Sequence, residues 1–382
     1  MIRYLTTGLL AFAGAPMAAA HGQNQITLAL RPTDAAVTVT KDVEYGRSDT
    51  VTLRMDIYRP AGSAGRTAPT LLFFNRGSGA DRQQPFYIAW ARAAASRGVT
   101  AILPDLRDGN QANDFRVLVS ALASRGTSLG VNGDAIAVFA GSGNVYAALP
   151  AVEDPAQTAV KAAIMYYGTG PVTDFRLDLP LLYVRAGLDR PEVNADITAL
   201  VTRAASQNAP VTLLNHASGY HAFEMFNDDD ATRAVMEQTL SFVRQATSPA
   251  FQAAMRRGVP EATAAGYVQV RDYAKAAPIY ARLVAARPDD ARLRLSYGEA
   301  LLGNAQYAEA CSELEKLRGK GLGPRDLGLP AARACMQKGD AGAAMTWLKS
   351  IPTRFLPPSI RTDPVFAPLQ GREDFRALFP DR

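Results

Sequence analysis

The sequence predicts an α/β domain on a mixed, mostly parallel eight-stranded sheet flanked by helices, followed by an all-α domain of helical repeats. Three observations predict it. Two alternating apolar–polar segments between residues 37 and 58 flank Gly46-Arg47-Ser48-Asp49. From about residue 70 to 245, short apolar runs alternate with amphipathic stretches. Beyond about residue 248 the strand signal stops, and small residues recur every 34 positions.

Each element follows from its pattern. Alternation with period two across a turn rich in Gly and Ser reads as an antiparallel strand pair. The apolar runs at 70–74, 100–103, 135–139, 162–167, 181–184 and 211–214 lack alternation. Strands buried on both faces look like this, and the amphipathic segments 87–97, 115–123, 193–205 and 231–245 supply the covering helices. Two antiparallel and six parallel strands make eight.

In the last third, Ala276, Ala310 and Ala344 are 34 residues apart. Tyr273 and Tyr307 keep that spacing, as do Tyr280, Leu314 and Leu348. A small residue that lets two helices approach, with an aromatic or Leu filling the groove, is the tetratricopeptide pattern. Two units fit well and the third less well. Residues 357–375 are expected to form an irregular cap, with a last short helix near 373–378.

Composition narrows the function classes. Hydrophobic residues make up 48% and charged residues 20% of the 382, which suits a sizeable core. Lys+Arg exceed Asp+Glu by five (41 against 36), without a basic run. That is a solvated surface and not a nucleic-acid footprint. The first residues carry one Arg, an apolar stretch from Leu5 to Met17, and Ala18-Ala19-Ala20 before His21. The stretch is short for a bilayer span, and its small-residue end fits a cleaved secretory signal peptide, residues 1–20. The expected mature chain starts near His21, is exported to the periplasm or medium, and does not span a membrane. The expected domains are then 21–248 and 249–382. Cys311 and Cys335 are the only cysteines. In an exported chain they either pair, across adjacent helices of the second and third repeats, or remain two buried thiols.

The candidate chemistry starts at Ala140-Gly141-Ser142-Gly143-Asn144. A buried strand runs into a small-residue turn and then a helix, the shape of a nucleophile elbow. Ala140 and Asn144 occupy the usual outer glycine positions; Ala is small, and Asn tolerates unusual backbone angles. A nucleophilic serine needs a base within reach. Of the three histidines, His221 lies in the loop after the last strand, where the base is expected; His216, at that strand's end, is the alternative. Asp189 leaves the end of the preceding strand and would orient His221. Gly143 would give one oxyanion-hole amide, and Gly77 or Ser78 in the Asn75-Arg76-Gly77-Ser78-Gly79 loop the other. Arg76 would face either an anionic substrate group or solvent.

Residues 37–246 resemble the dienelactone-hydrolase-like and feruloyl-esterase-like group of α/β-hydrolases. The resemblance rests on Asp56-Ile57-Tyr58-Arg59-Pro60, Gly141-Ser142-Gly143-Asn144, Gly187-Leu188-Asp189 and Tyr220-His221-Ala222-Phe223. It implies the α/β-hydrolase fold and hydrolysis of carboxylic esters or related acyl bonds through an acyl-enzyme, with no cofactor or metal. Dienelactone hydrolases proper use a cysteine nucleophile, and this chain has Ser142. A small-molecule ester or acyl substrate is therefore expected, with a peptide bond as the alternative. The third reading is a silent hydrolase scaffold whose repeats bind a protein partner. Only about ten residues, 169–179, fill the interval where many lipases carry a helical lid. The site is expected to be open, or roofed by another element such as the repeats.

Overall fold

A computed structural model describes residues 28–48, 50–62, 68–75 and 81–379. The expected signal peptide and its cleavage point lie outside the described residues.

Among the described residues the eight strands are β1 Val37–Ser48, β2 Val51–Pro60, β3 Thr70–Phe73, β4 Thr100–Pro104, β5 Ile136–Gly141, β6 Val160–Tyr166, β7 Leu181–Ala186 and β8 Val211–His216. They form one sheet in the order β1-β2-β4-β3-β5-β6-β7-β8. The β1–β2 hairpin and the β2–β4 pair are antiparallel, and the remaining pairs are parallel. This is the α/β-hydrolase arrangement. β1 is longer than expected because Asp42, at φ 56°, makes an irregularity that lets the pairing continue to Ser48.

Among the described residues the helices around the sheet are α1 Pro85–Ala95, α2 Gln111–Leu129, α3 Val145–Glu153, α4 Pro191–Ser206, α5 Phe223–Phe226 and α6 Asp230–Ala246. The central strands read as unbroken apolar runs because both sheet faces are covered. In β5, Ile136, Val138 and Ala140 join the core under α2, α3 and α4, while Ala137 and Phe139 join the core under α1 and α6. Leu28, Ala29 and Leu30 are buried in that second core.

The remaining helices are α7 Pro249–Gln269, α8 Tyr273–Ala286, α9 Ala291–Gly303, α10 Tyr307–Glu315, α11 Pro324–Gln337, α12 Ala341–Ser350 and the one-turn α13 Glu373–Arg376. Each helix from α7 to α12 packs on the next. Ala276, Ala310 and Ala344 are fully buried on α8, α10 and α12, and Tyr280, Leu314 and Leu348 are buried four residues on. The close approach is real: a Cβ at Gly303 would lie 2.6 Å from the Tyr273 ring, and one at Gly298 would lie 2.5 Å from Leu314. The third unit keeps only its first helix. After α12, Pro352, Pro357, Pro358, Pro364 and Pro368 break the chain into 3₁₀ turns, because each proline removes a helical donor. Cys311 on α10 and Cys335 on α11 form a disulfide. The bond therefore joins the two helices of the second unit, not the second unit to the third.

α7 attaches the helical stack to the sheet. Gln252 donates to the Lys161 carbonyl at 3.3 Å, and Asn208 donates to the Ala262 carbonyl at 3.0 Å. Lys161 is the second residue of β6 and Asn208 precedes β8, so these contacts lie at the strands' N-terminal ends. Among the described residues, no helix is long and apolar enough to cross a membrane.

Candidate active site

β5 ends in Gly141, and Ser142 follows with φ 56°. The unusual backbone angle of the elbow falls on the serine itself. Asn144 has ordinary helical angles (φ −68°, ψ −27°), so the expectation that it uses its backbone tolerance is not met. Its side chain does the work instead, donating to the Tyr87 hydroxyl at 3.1 Å. A left-handed non-glycine residue costs on the order of 1 kcal/mol. Tyr167 (φ 34°) and Ala222 (φ 59°) carry the same strain, and all three lie at this end of the sheet. Such clustering is common where chemistry demands a fixed geometry.

The structure brings Ser142, His221 and Asp189 into one line. Ser142 Oγ lies 2.8 Å from His221 Nε2. His221 Nδ1 lies 2.6 Å from Asp189 Oδ2. With the proton on Nδ1, the imidazole donates to the carboxylate and accepts from the serine hydroxyl. The Asp189 side chain is only 2% exposed and that of His221 38%, so the imidazole reaches solvent while the carboxylate behind it does not. The remaining Asp189 oxygen accepts from the Arg190 backbone N–H at 2.8 Å. The two loops are stitched together by Gly187 N–H to the His216 carbonyl (2.8 Å) and Leu188 N–H to the Gly219 carbonyl (2.9 Å). Gly187 is required there, because a Cβ would sit 2.3 Å from the Ala217 carbonyl oxygen.

His216 is elsewhere. It is buried beneath the loop, with Nε2 2.7 Å from Thr232 Oγ1, and burial lowers its pKa. Its bond to α6 ties down the last strand.

Gly143 opens onto a cleft of about 460 Å³ that Phe74, Asp108, Gly109, Asn144 and Tyr146 also line. Asp108 accepts from Gln111 at 2.9 Å on that wall. Arg76, Gly77, Ser78 and Gly79 lie outside the described residues. The chain on either side of them is anchored. Asn75 donates to the Pro104 carbonyl at 3.1 Å. The buried Arg82 guanidinium meets Asp56 at 2.5 Å, Asp105 at 2.9 Å and Asp42 at 3.0 Å.

The interval where lipases carry a lid is tied to the C-terminal end of α4. Phe175 N–H donates to Gln207 Oε1 at 3.0 Å, and Gln207 donates back to the Thr173 carbonyl at 2.6 Å. The hydrogen bonds that attach the helical stack to the sheet, Gln252 to Lys161 and Asn208 to Ala262, lie at the opposite ends of the strands from Ser142. β6 alone separates the two ends by roughly 20 Å at about 3.3 Å per residue.

Two residues at the site were not expected from sequence. Tyr167 lies against the His221 ring with centroids 4.7 Å apart, and Glu224 is fully buried behind it. The one hint was an isolated acid in the apolar run Ala222-Phe223-Glu224-Met225-Phe226.

No protein-family model and no curated protein matches the chain. Solved structures of esterases with the α/β-hydrolase fold do. A bacterial heroin esterase aligns over 56% of this chain and 85% of its own, at 13% identity and a TM-score of 0.44. A thermostable esterase from Pseudomonas putida aligns over 56% and 84%, at 14% identity and 0.46. One of two fungal esterases from Rhizomucor miehei aligns over 59% and 87%, at 15% identity and 0.48.

Proposed function

We propose that this chain is a serine hydrolase that cleaves carboxylic esters through an acyl-enzyme. The observation that carries the reading is the continuous line from Ser142 Oγ through His221 to the buried Asp189. His221 Nε2 takes the serine proton as Oγ attacks the ester carbonyl carbon. Asp189 holds the tautomer and stabilises the imidazolium that results. The Gly143 amide, with one from Gly77 or Ser78, receives the charge on the carbonyl oxygen. His221 then returns its proton to the leaving alcohol. A water deprotonated by the same nitrogen releases the acid and restores Ser142.

The resemblance of residues 37–246 to dienelactone-hydrolase-like and feruloyl-esterase-like enzymes supports the ester over the peptide bond. The leader sequence supports export, and the 34-residue columns support a tetratricopeptide-like stack that binds a protein partner. A fluorophosphonate probe tests the nucleophile. Labelling of the wild type that disappears in Ser142→Ala is expected; an unlabelled wild type, or equal labelling of both, overturns the reading. A p-nitrophenyl ester panel run beside a peptide panel then identifies the scissile bond.

A further inference from the structure

Glu224 follows His221 by three residues, and its side chain is fully buried. A carboxyl in such a place is costly unless its oxygens are bonded. Here the Tyr167 hydroxyl lies 2.8 Å from each of them. The Trp90 indole N–H also faces the carboxyl, without completing a well-formed hydrogen bond. The backbone of the same residue is fixed from the other side: the Glu224 carbonyl accepts from Ala29 N–H at 2.8 Å.

Tyr167 is the link between this acid and the chemistry. It is the first residue after β6 and is held at φ 34° with its N–H donating to the Val184 carbonyl at 2.8 Å. Its ring lies 4.7 Å from the His221 ring at 54°. Its hydroxyl is 3.4 Å from where a Cβ on Gly141 would be, one residue before the serine. One phenol therefore lies beside the end of the strand that carries Ser142, against the His221 ring, and hydrogen-bonded to a buried acid. For packing alone, a methionine or leucine in place of Glu224 would serve at lower desolvation cost.

We propose that Glu224, acting through Tyr167, positions the His221 imidazole and stabilises its protonated form. When His221 takes the Ser142 proton, the imidazolium develops against the Tyr167 ring, whose centroid lies 4.7 Å away, within reach of a favourable cation–π contact. The hydrogen bond to Glu224 keeps that ring in place and draws the phenol proton toward the acid, which increases the electron density of the ring.

The electrostatics agree in direction. Burial pushes the Glu224 carboxyl up to about 7, with hydrogen bonds from its own backbone and from Tyr167, and the nearby Trp90 N–H, opposing. The phenols facing it, Tyr166 and Tyr167, are pushed well above the ordinary tyrosine value by burial and stay neutral donors. Tyr87 faces Tyr167, and His216 lies across Phe223 at 4.8 Å with its own pKa lowered by burial. Asp189 acts on His221 at Nδ1, 2.6 Å away. Loss of the Glu224 proton places negative charge behind Tyr167 and favours the imidazolium.

The role rests on His221 being the base, so its test does not depend on turnover alone. The full-length chain with ¹⁵N-labelled histidine is titrated by NMR as wild type, Glu224→Gln and Tyr167→Phe. Gln keeps the volume and the hydrogen bond but cannot ionise. Phe keeps the ring against His221 and removes only the link to Glu224. Both are expected to lower the His221 midpoint by about half a pH unit or more. Both should also lower kcat by about tenfold at unchanged KM. The double variant should be no worse than the more impaired single one, as expected for two residues in series. A His221 titration unchanged in both variants, with kcat within about twofold of wild type, overturns the proposal. If Glu224→Gln fails to fold by circular dichroism, Tyr167→Phe decides it alone. An inert wild type that no fluorophosphonate labels removes the ester-hydrolase reading instead, and the NMR titration still decides the positioning role.

Discussion

Gly168 lies so close to Ser142 that a Cβ built on it would sit 2.3 Å from the Ser142 carbonyl oxygen and 2.9 Å from Val145 Cγ2. Neither neighbour has room, since the oxygen belongs to the elbow itself. Gly168→Ala is therefore expected to displace the nucleophile and lower kcat about 100-fold, because positioning errors near 1 Å cost that much. Overpacking should also destabilise the fold by about 1–3 kcal/mol. Steady-state kinetics and thermal unfolding on the same sample check both. Activity within about threefold of wild type would mean that the elbow has slack the contacts do not show.

Asp189→Asn keeps the shape of the third residue but favours the wrong imidazole tautomer. A kcat loss of about 10⁴ with little change in KM is expected. The two histidines should separate cleanly in parallel variants. His221→Ala loses turnover and keeps its melting temperature. His216→Ala removes the Nε2 bond to the Thr232 hydroxyl, costs about 1–3 kcal/mol of stability, and retains most turnover in the folded fraction.

Glu153 gives a pH dependence of stability with a definite sign. Burial pushes its carboxyl up to about 7, although the Arg176 backbone N–H donates to it at 2.6 Å. The folded state thus holds its proton to higher pH than the unfolded state does. The stability linked to that proton is fully present below about pH 4.5 and is lost as pH rises through 7, by on the order of 3 kcal/mol. Glu153→Gln keeps an acceptor for the Arg176 amide and removes the titration. Urea unfolding should show the variant more stable than wild type at pH 8 and no more stable at pH 4. A constant difference across that range would assign the effect to packing.

The Cys311–Cys335 bond closes a 24-residue separation within one helical pair. Loop-closure entropy gives about 3 kcal/mol for such a link. Reduction, or Cys311→Ala with Cys335→Ala, should lower the unfolding midpoint of the helical stack while ester hydrolysis stays within about twofold of wild type. Alkylation under denaturing conditions should add no mass until a reductant is present.

Deleting residues 273–382 while keeping α7 should leave kcat and KM for short-chain p-nitrophenyl esters within about threefold of the full chain. The bonds that attach the stack, Gln252 to Lys161 and Asn208 to Ala262, are retained by that cut. They are also remote from Ser142. A large change in KM would show that the repeats reach the cleft.

Local pattern was enough wherever one dominant force set the structure. Runs such as residues 135–139 have no polar alternation because both faces of β5 are covered, so the strand and its parallel setting could be read directly. The order of Ser142, Asp189 and His221 was legible because each follows its own strand. What stayed hidden depends on contacts distant in the chain. Tyr167 and Glu224 are 57 residues apart, and no spacing marks their hydrogen bond. Asn144 gave a misleading cue: its backbone tolerance was irrelevant because Ser142 took the strained angle. The truncated third repeat was foreshadowed by five prolines between 352 and 368, whose missing donors outweigh the Ala344 and Leu348 columns.

The attachment of α7 at the strands' N-terminal ends separates two design problems. Substitutions on the helical stack and substitutions around the cleft lie far enough apart for their effects to be nearly additive. The surface of the helical stack can therefore drift under selection without retuning the cleft, and the cleft can change without disturbing the stack.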